Sequence, residues 1–168
     1  MKKSIHLLNT INDLMIEDGY PVAKPVTPDV MNDLMSKEPP AEWDTHKKAV
    51  YTDIQTLLSE RRDYAEMFSV MDGFEYNGLN LYSLLLGDDE GVLWSNIYIQ
   101  NIDTRNNDIY IDPHLNDNVV IGGDGISVFV YNFKEECFEI RDKVVTQNLI
   151  EAYKNFSDFL AEIISTVR

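Results

Sequence analysis

The chain has 168 residues, 44% of them apolar, and 29 acids against 14 Lys and Arg give a formal charge of −15. That length and apolar share suit one domain able to bury about 70% of its unfolded surface, and they exclude a disordered chain. The acid excess speaks against nucleic acid and anionic membrane as partners, because both need clustered Lys and Arg. No apolar run approaches the ~18 residues of a membrane span. The basic and apolar start is interrupted by Asn9, Asn12 and Asp13, so no signal peptide is expected. A single cysteine, Cys137, excludes an internal disulfide and suits a reducing compartment, so the expected location is the cytoplasm.

Ile5, Leu8, Ile11 and Met15 recur at spacings of three and four, which predicts an amphipathic helix over Ser4 to Asp18, with Ser4 as its cap and Gly19 and Pro21 as its end. Such a stripe either packs on its own domain or meets a partner, and packing is the commoner fate. Tyr20 to Asp44 holds five of the six prolines and reads as an irregular, arm-like connection. Within it, Thr27-Pro28-Asp29 supplies a cap, a Pro at the first helical position and an acid at the positive dipole end, which predicts a two-turn helix to Ser36. Residues 1–45 thus form a helical, Pro-containing N-terminal extension of a single domain spanning 1–168.

Asp44 to Met71 reads as one long helix. Val50, Ile54, Leu57, Leu58, Ala65 and Phe68 follow the 3.6 period, Arg61 and Arg62 lie on the rim, and Asp72-Gly73 is the stop. Asn77-Gly78 is a hairpin-type turn. Leu79 to Leu86 reads as a buried strand closed by Gly87-Asp88-Asp89-Glu90-Gly91. Val92 to Ile102 fits a helix face through Trp94, Ile97, Tyr98 and Asn101, or a strand through Ile97-Tyr98-Ile99. Asp103 to Asn118 is a polar loop around the short apolar run Ile109-Tyr110-Ile111.

Val119 to Arg141 reads as strands joined by tight turns. Val119, Val120 and Ile121 are β-branched, and Gly122-Gly123-Asp124-Gly125 follows. Ser127 to Tyr131 is apolar on both faces, with Val128 and Val130 on one and Phe129 and Tyr131 on the other, so it is expected to be central in a sheet. Asn132 to Glu136 is a polar turn. Cys137 to Arg141 then alternates, with Phe138 and Ile140 facing in and Cys137, Glu139 and Arg141 facing out. Thr146 to Tyr153 reads as a short helix. The last helix carries Phe156, Phe159, Leu160, Ile163, Ile164 and Val167 as its stripe, with Asn155 as cap and Asp158 three residues on, as in a capping box.

Few residues suggest catalysis. Gly122 to Gly125 has neither GxGxxG nor GxxxxGK[ST] spacing, no Lys stands ready for a phosphate, and Asp124 would repel one, so a nucleotide loop is rejected. The three histidines, His6, His46 and His114, have no metal-ligand partner at helical spacing. Asp112-Pro113-His114 with Asp117 is the one cluster that could hold a cation, short of the three or four firm ligands zinc takes. Glu135 and Glu136 beside Cys137 raise a thiol's pKa and make it a poor nucleophile. No GxSxG elbow is present. The expectation is a protein that is not an enzyme and uses neither metal nor cofactor.

An aliphatic run, then Ile121-Gly122-x-Asp124-Gly125, then a strand ending Tyr131-Asn132 resembles the core signature of the SUKH superfamily. Asp72-Gly73-Phe74-Glu75-Tyr76-Asn77-Gly78-Leu79, with Leu81-Tyr82 after it, is similar to that superfamily's Asn-Gly turn and first strand. Asn155-Phe156-Ser157-Asp158-Phe159-Leu160 is similar to its closing helix. The three stand in the right order and cover roughly Val50 to Val167. Ile126-Ser127 departs from the further Gly and Asp common there. The Pro-containing segment before Asp44 resembles the extension of a YrhA-like branch. The superfamily includes bacterial immunity proteins against polymorphic toxins and yeast regulators of cell-wall synthesis.

The resemblance and the patterning together predict an α+β fold. A mostly antiparallel sheet (Leu79–Leu86, Val119–Ile121, Ser127–Tyr131, Cys137–Arg141) is backed by the Asp44–Met71 and Asn155–Val167 helices, and the resemblance favours a helix for Val92 to Ile102. It implies a cytoplasmic immunity protein that binds and neutralises a cognate toxin domain. Between Asp72 and Gly125 ten acids face one base, Arg105. This field would attract a basic partner, such as a nuclease toxin, through Asp72, Glu75, Asp88, Asp89, Glu90, Asp103, Asp108, Asp112, Asp117 and Asp124. It could equally be a solvated acidic surface that serves solubility. Two other readings stand beside this one: a regulatory scaffold binding a peptide or small ligand near Gly122–Gly125, and an enzyme using Asp112 and His114.

Overall fold

Six strands pair in chain order, each antiparallel to the next: β1 (Phe74–Tyr76), β2 (Leu79–Leu81), β3 (Val119–Gly123), β4 (Ser127–Asn132), β5 (Cys137–Asp142) and β6 (Leu149–Tyr153). The computed structural model describes residues 2–85, 95–106 and 109–168. Around the sheet lie α1 (Lys2–Glu17), α2 (Pro28–Ser36), α3 (Thr45–Glu60), α4 (Arg62–Ala65), α5 (Ile97–Arg105) and α6 (Phe156–Ser165). Segregated helices and an antiparallel sheet make this an α+β fold, as expected.

The core forms where the apolar face of the sheet meets the helices. Phe129, Tyr131 and Phe138 from the sheet pack with Phe156 and Phe159 of α6 and with Tyr64 of α4; neighbouring rings lie 5.1–6.0 Å apart, with Tyr64–Phe156 and Phe129–Phe159 edge-on. α1 joins the same core through Leu7, Leu8, Ile11 and Met15, and Lys3 Nζ meets Asp158 of α6 at 2.7 Å. Ile5, assigned to the stripe by spacing, is 40% exposed; Leu7, two residues on, is buried instead. The Pro-rich connection is docked rather than arm-like. Val26 N–H donates to the Phe68 carbonyl, Asp72 N–H donates to the Lys24 carbonyl, and Ala23 and Val26 are buried.

The caps expected at Thr27 and Asn155 form, and Asp44 caps α3 as well, whereas Ser4, expected to cap the first helix, lies inside α1, which starts at Lys2. The Thr27 hydroxyl accepts from the Val30 amide, the Asp44 carboxylate from the Lys47 amide, and the Asn155 amide oxygen from the Asp158 amide. The reciprocal half of the box at α6 differs: the Asp158 carboxylate accepts from the Asn155 side chain and from Lys3.

Three expected elements need correction. The helix over Asp44–Met71 breaks at Arg61, whose backbone leaves helical space (φ −116°, ψ 79°). The Arg61 guanidinium forks onto Asp63, donates to the carbonyls of Glu136 and Lys154, and lies 4.5 Å over the Phe138 ring. A rim residue in the periodicity is therefore a cross-link between three segments. A 3-10 turn over Glu66–Ser69 follows α4. The strand expected over Leu79–Leu86 pairs only to Leu81. The buried Asp72 carboxylate then draws in the amides of Leu84 (2.7 Å) and Leu85 (3.1 Å), and Ser83 bridges to Asn96 in parallel. Leu86 and the closing Gly87–Gly91 lie outside the described residues. Finally, the helix expected over Thr146–Tyr153 is an Asp142-capped turn followed by the edge strand β6, paired with β5.

For Val92–Ile102, the helical alternative holds from Ile97 onward; Val92, Leu93 and Trp94 lie outside the described residues. The side chain of Asn101 explains how α5 is anchored. Val120 of β3 lies beyond the end of β2, so no strand among the described residues reaches its N–H and C=O on that side. Asn101 pairs with both at 2.8 Å, standing in for a strand residue. Gly122 allows β2 and β3 to approach, since a Cβ there would meet the Asn80 carbonyl oxygen at 2.1 Å. The pairing with β4 shifts register between Val120 and Gly122. β4 is central, as expected, between β3 and β5.

Candidate partner-binding surface

The second face of the sheet lies opposite the aromatic core. Across β2, β3 and β4 it holds a cleft of about 260 Å³, walled by Glu75, Asn80, Gly122–Asp124, Ser127, Lys143 and Thr146 among others. The turn at Asn77-Gly78, with both φ positive (50° and 84°), turns β1 back onto β2 and leaves Glu75 exposed at the rim. On the far wall, Asp124 Oδ1 accepts from the amides of Ile126 and Ser127, closing the β3–β4 turn. The base in this cleft is Lys143, whose ammonium donates to the Asp124 carbonyl at 3.3 Å.

The loop before β3 is laced to the same rim. Asp112 Oδ2 accepts from the Thr146 hydroxyl at 2.6 Å, and its Oδ1 caps the His114 amide at 2.8 Å. Leu115 of that loop lines the cleft. The Asp112 carboxylate is thus engaged in building the loop. Among the described residues, no group of three or more His, Cys, Asp or Glu side chains is placed to hold a metal ion.

The ten acids expected to meet a partner separate into distinct groups. Glu75 and Asp124 share the cleft, and Asp112 is tied to its wall. Asp117 is exposed on the adjoining loop, and Asp103 is exposed on α5, away from the cleft lining. Asp72 is 6% exposed and points inward to two amides, so it is removed from any binding surface. Burial pushes its carboxyl up despite those hydrogen bonds, because desolvation outweighs them. Asp88, Asp89, Glu90 and Asp108 lie outside the described residues.

Other groups on this face were not singled out from sequence. Glu139 and Arg141 stand two apart on β5 and so on one side of the sheet, which is the signal that could have paired them. They form a nearly buried fork (Arg141 Nε to Glu139 Oε1 2.9 Å, Nη2 to Oε2 3.2 Å), and Arg141 Nη1 donates to the Thr146 carbonyl. "Facing out" on β5 therefore does not mean wet: Glu139 is 2% and Cys137 4% exposed. Burial first, and then the charges of Glu139 and Glu135, push the Cys137 thiol up, which keeps it protonated and unreactive. On the helical side, Trp43 meets Tyr51 edge-on at 4.5 Å and Tyr51 lies tilted against Tyr98 at 4.3 Å, beside a separate, mostly apolar groove of about 300 Å³. Among the described residues no helix is long and apolar enough to cross a membrane.

No family model matches the chain, and no solved structure matches it. It is similar to the uncharacterized protein YrhA of Escherichia coli (strain K12), with 30% identity over 128 residues, covering 76% of this chain and 88% of that protein. At that identity and coverage, the chain belongs to the YrhA-like family.

Proposed function

We propose that this protein is an immunity protein of the SUKH superfamily that binds and neutralises a basic toxin domain, acting in the cytoplasm. The observation carrying this reading is the grouping of acids on one face of the sheet: Glu75 and Asp124 in the cleft, Asp112 on its wall and Asp117 exposed on the adjoining loop, against Lys143. A face of this sign speeds the approach of a cationic domain and can cover a surface built to hold phosphates. Binding, and no turnover, is the activity this reading needs.

The test is a pull-down from the source cell with the tagged full-length chain at low and moderate salt, followed by mass spectrometry and a growth-rescue assay with the recovered protein. A basic toxin domain released by salt, whose toxicity co-expression suppresses, supports the reading. Recovery of a housekeeping complex that resists salt sinks it. The same cleft favours a second reading, a scaffold that takes a peptide or small ligand beside Gly122–Asp124. An uncharged ligand there would bind with little salt dependence, which separates the two.

A further inference from the structure

The described residues include an apolar knuckle at one end of the sheet that the fold leaves in water. Ile126 is 77% exposed, Val144 91%, Val145 41%, Leu149 47% and Ile150 57%. They come from the β3–β4 turn, the β5–β6 turn and the start of β6, and hydrogen bonds join these segments. The Lys143 amide donates to the Ile126 carbonyl at 2.9 Å, and the Asp142 amide to the Asn148 carbonyl at 3.0 Å. Two carboxylates shape the tips. Asp124 Oδ1 holds the amides of Ile126 and Ser127, and Asp142 Oδ1 holds those of Val144 and Val145. Each turn thus displays an apolar side chain and an acid together, in a fixed geometry that binding does not have to impose. Beside the knuckle runs β6, which pairs with β5 and with no other strand among the described residues, and whose exposed residues include Glu151. Proteins usually blunt such edges. Exposed apolar side chains on two hydrogen-bonded turns, with acids beside them, are the materials of a binding surface.

We propose that this knuckle, with the β6 edge, is the docking surface for a basic protein domain that presents an apolar patch rimmed by Lys and Arg. The proposal deepens the immunity reading, and it rests on that reading for the partner's being a toxin. Charge selects the occupant: Asp124, Asp142 and Glu151 stand around the knuckle, and Lys143 is held against the Asp124 carbonyl. A second copy docked about a two-fold axis would set these acids against one another, so a homodimer through this face is disfavoured.

The test uses the full-length chain in the source cell with Val144→benzoylphenylalanine, and Ile16→benzoylphenylalanine on α1 as the control, since Ile16 is 63% exposed far along another element. After irradiation, partners are identified by mass spectrometry. The recovered partner is then titrated against the wild-type chain, the Ile126→Ser/Val144→Ser double variant and Ile16→Ser. Cross-linking of a basic domain at position 144, with affinity reduced about thirty-fold in the double variant and unchanged in Ile16→Ser, is the expected result. If that domain is not a toxin, the surface stands and the immunity reading fails. If a toxin is captured only from position 16 and binds the double variant as tightly as wild type, the immunity reading stands and this surface is wrong. A second copy captured at position 144, or no cross-link there, also overturns the proposal.

Discussion

Asn101→Ala removes the side chain that stands in for a missing strand residue. Asn101 is fully buried; its amide group donates to the carbonyls of Ile97 and Val120 and accepts from the Val120 amide, all at 2.8 Å. The Ile97 carbonyl already lies within a helix, so its loss is minor. The two groups of Val120 are buried and would have no strand to turn to, since β2 ends its pairing at Gly122. Leaving a buried donor or acceptor unsatisfied costs about 1–3 kcal/mol each, so two of them, partly relieved by water entering the vacated space, give about 3 kcal/mol. In a domain of this size each kcal/mol moves Tm by about 2–4 °C, so a fall of roughly 6–12 °C is expected. Urea titration reads the loss of stability, and hydrogen exchange at the Val120 amide reads its cause. Asn101→Asp keeps the acceptor and loses the donor, and it places a carboxylate in the core, so it should be no more stable than Asn101→Ala. A loss under about 1 kcal/mol, or unchanged protection at Val120, would refute the idea that this side chain completes the edge of β3.

Gly122→Ala and Gly125→Ala should part sharply in Tm. A Cβ on Gly122 meets the Asn80 carbonyl oxygen at 2.1 Å, whereas one on Gly125 meets nothing within 4 Å, so the first loses about 2 kcal/mol or more and the second changes little. For Asp63, burial alone would raise the pKa, but hydrogen bonds from Arg61 and from the amides of Phe156 and Tyr64 outweigh it and hold the carboxyl below its usual range. Its contribution is therefore present above about pH 4 and disappears as pH falls through the folded value. Arg61→Ala should cost about 2 kcal/mol near neutral pH, discounted for part exposure, and should flatten the acid limb of a stability–pH curve; an unchanged limb sinks this account. Asp72 is the opposite case. Its raised carboxyl binds a proton more readily in the fold than in the unfolded chain, so wild-type stability should fall as pH rises from the ordinary carboxylate value to the raised one. Asp72→Asn should abolish that slope, and urea midpoints taken from about pH 4 to about pH 7 will show whether it does.

Local signals placed what local chemistry controls. The caps at Thr27 and Asn155 rest on side chains bonding amides three residues away, so they could be read directly. The strands β3, β4 and β5 were legible because their alternation matches a sheet whose inner face is the core, and the Asn77-Gly78 turn because few residues accept two positive φ values in succession. The grouping of Glu75 and Asp124 in one cleft was not legible, since 49 positions separate them and only the β2–β3 pairing brings them together.

The errors share one cause. Arg61 ends α3 because carbonyls from Glu136 and Lys154, distant in sequence, offer its guanidinium better partners than solvent does. Asp72 faces inward because the amides of Leu84 and Leu85 need an acceptor where the chain leaves β2, although its residue type promises an exposed charge. Leu149–Tyr153 is a strand because β5 presents an unpaired ladder beside it, which no property of the five residues themselves announces. The amino-acid sequence by itself determined the fold class, the strands at its centre, the helix caps and the sign of the molecule's electrostatic field, all of which follow from composition and from spacing within a few residues. Only the tertiary structure decided where helices break, which acids stay at the surface and which apolar residues remain in water, because each of those outcomes depends on a partner group that the fold alone brings within reach.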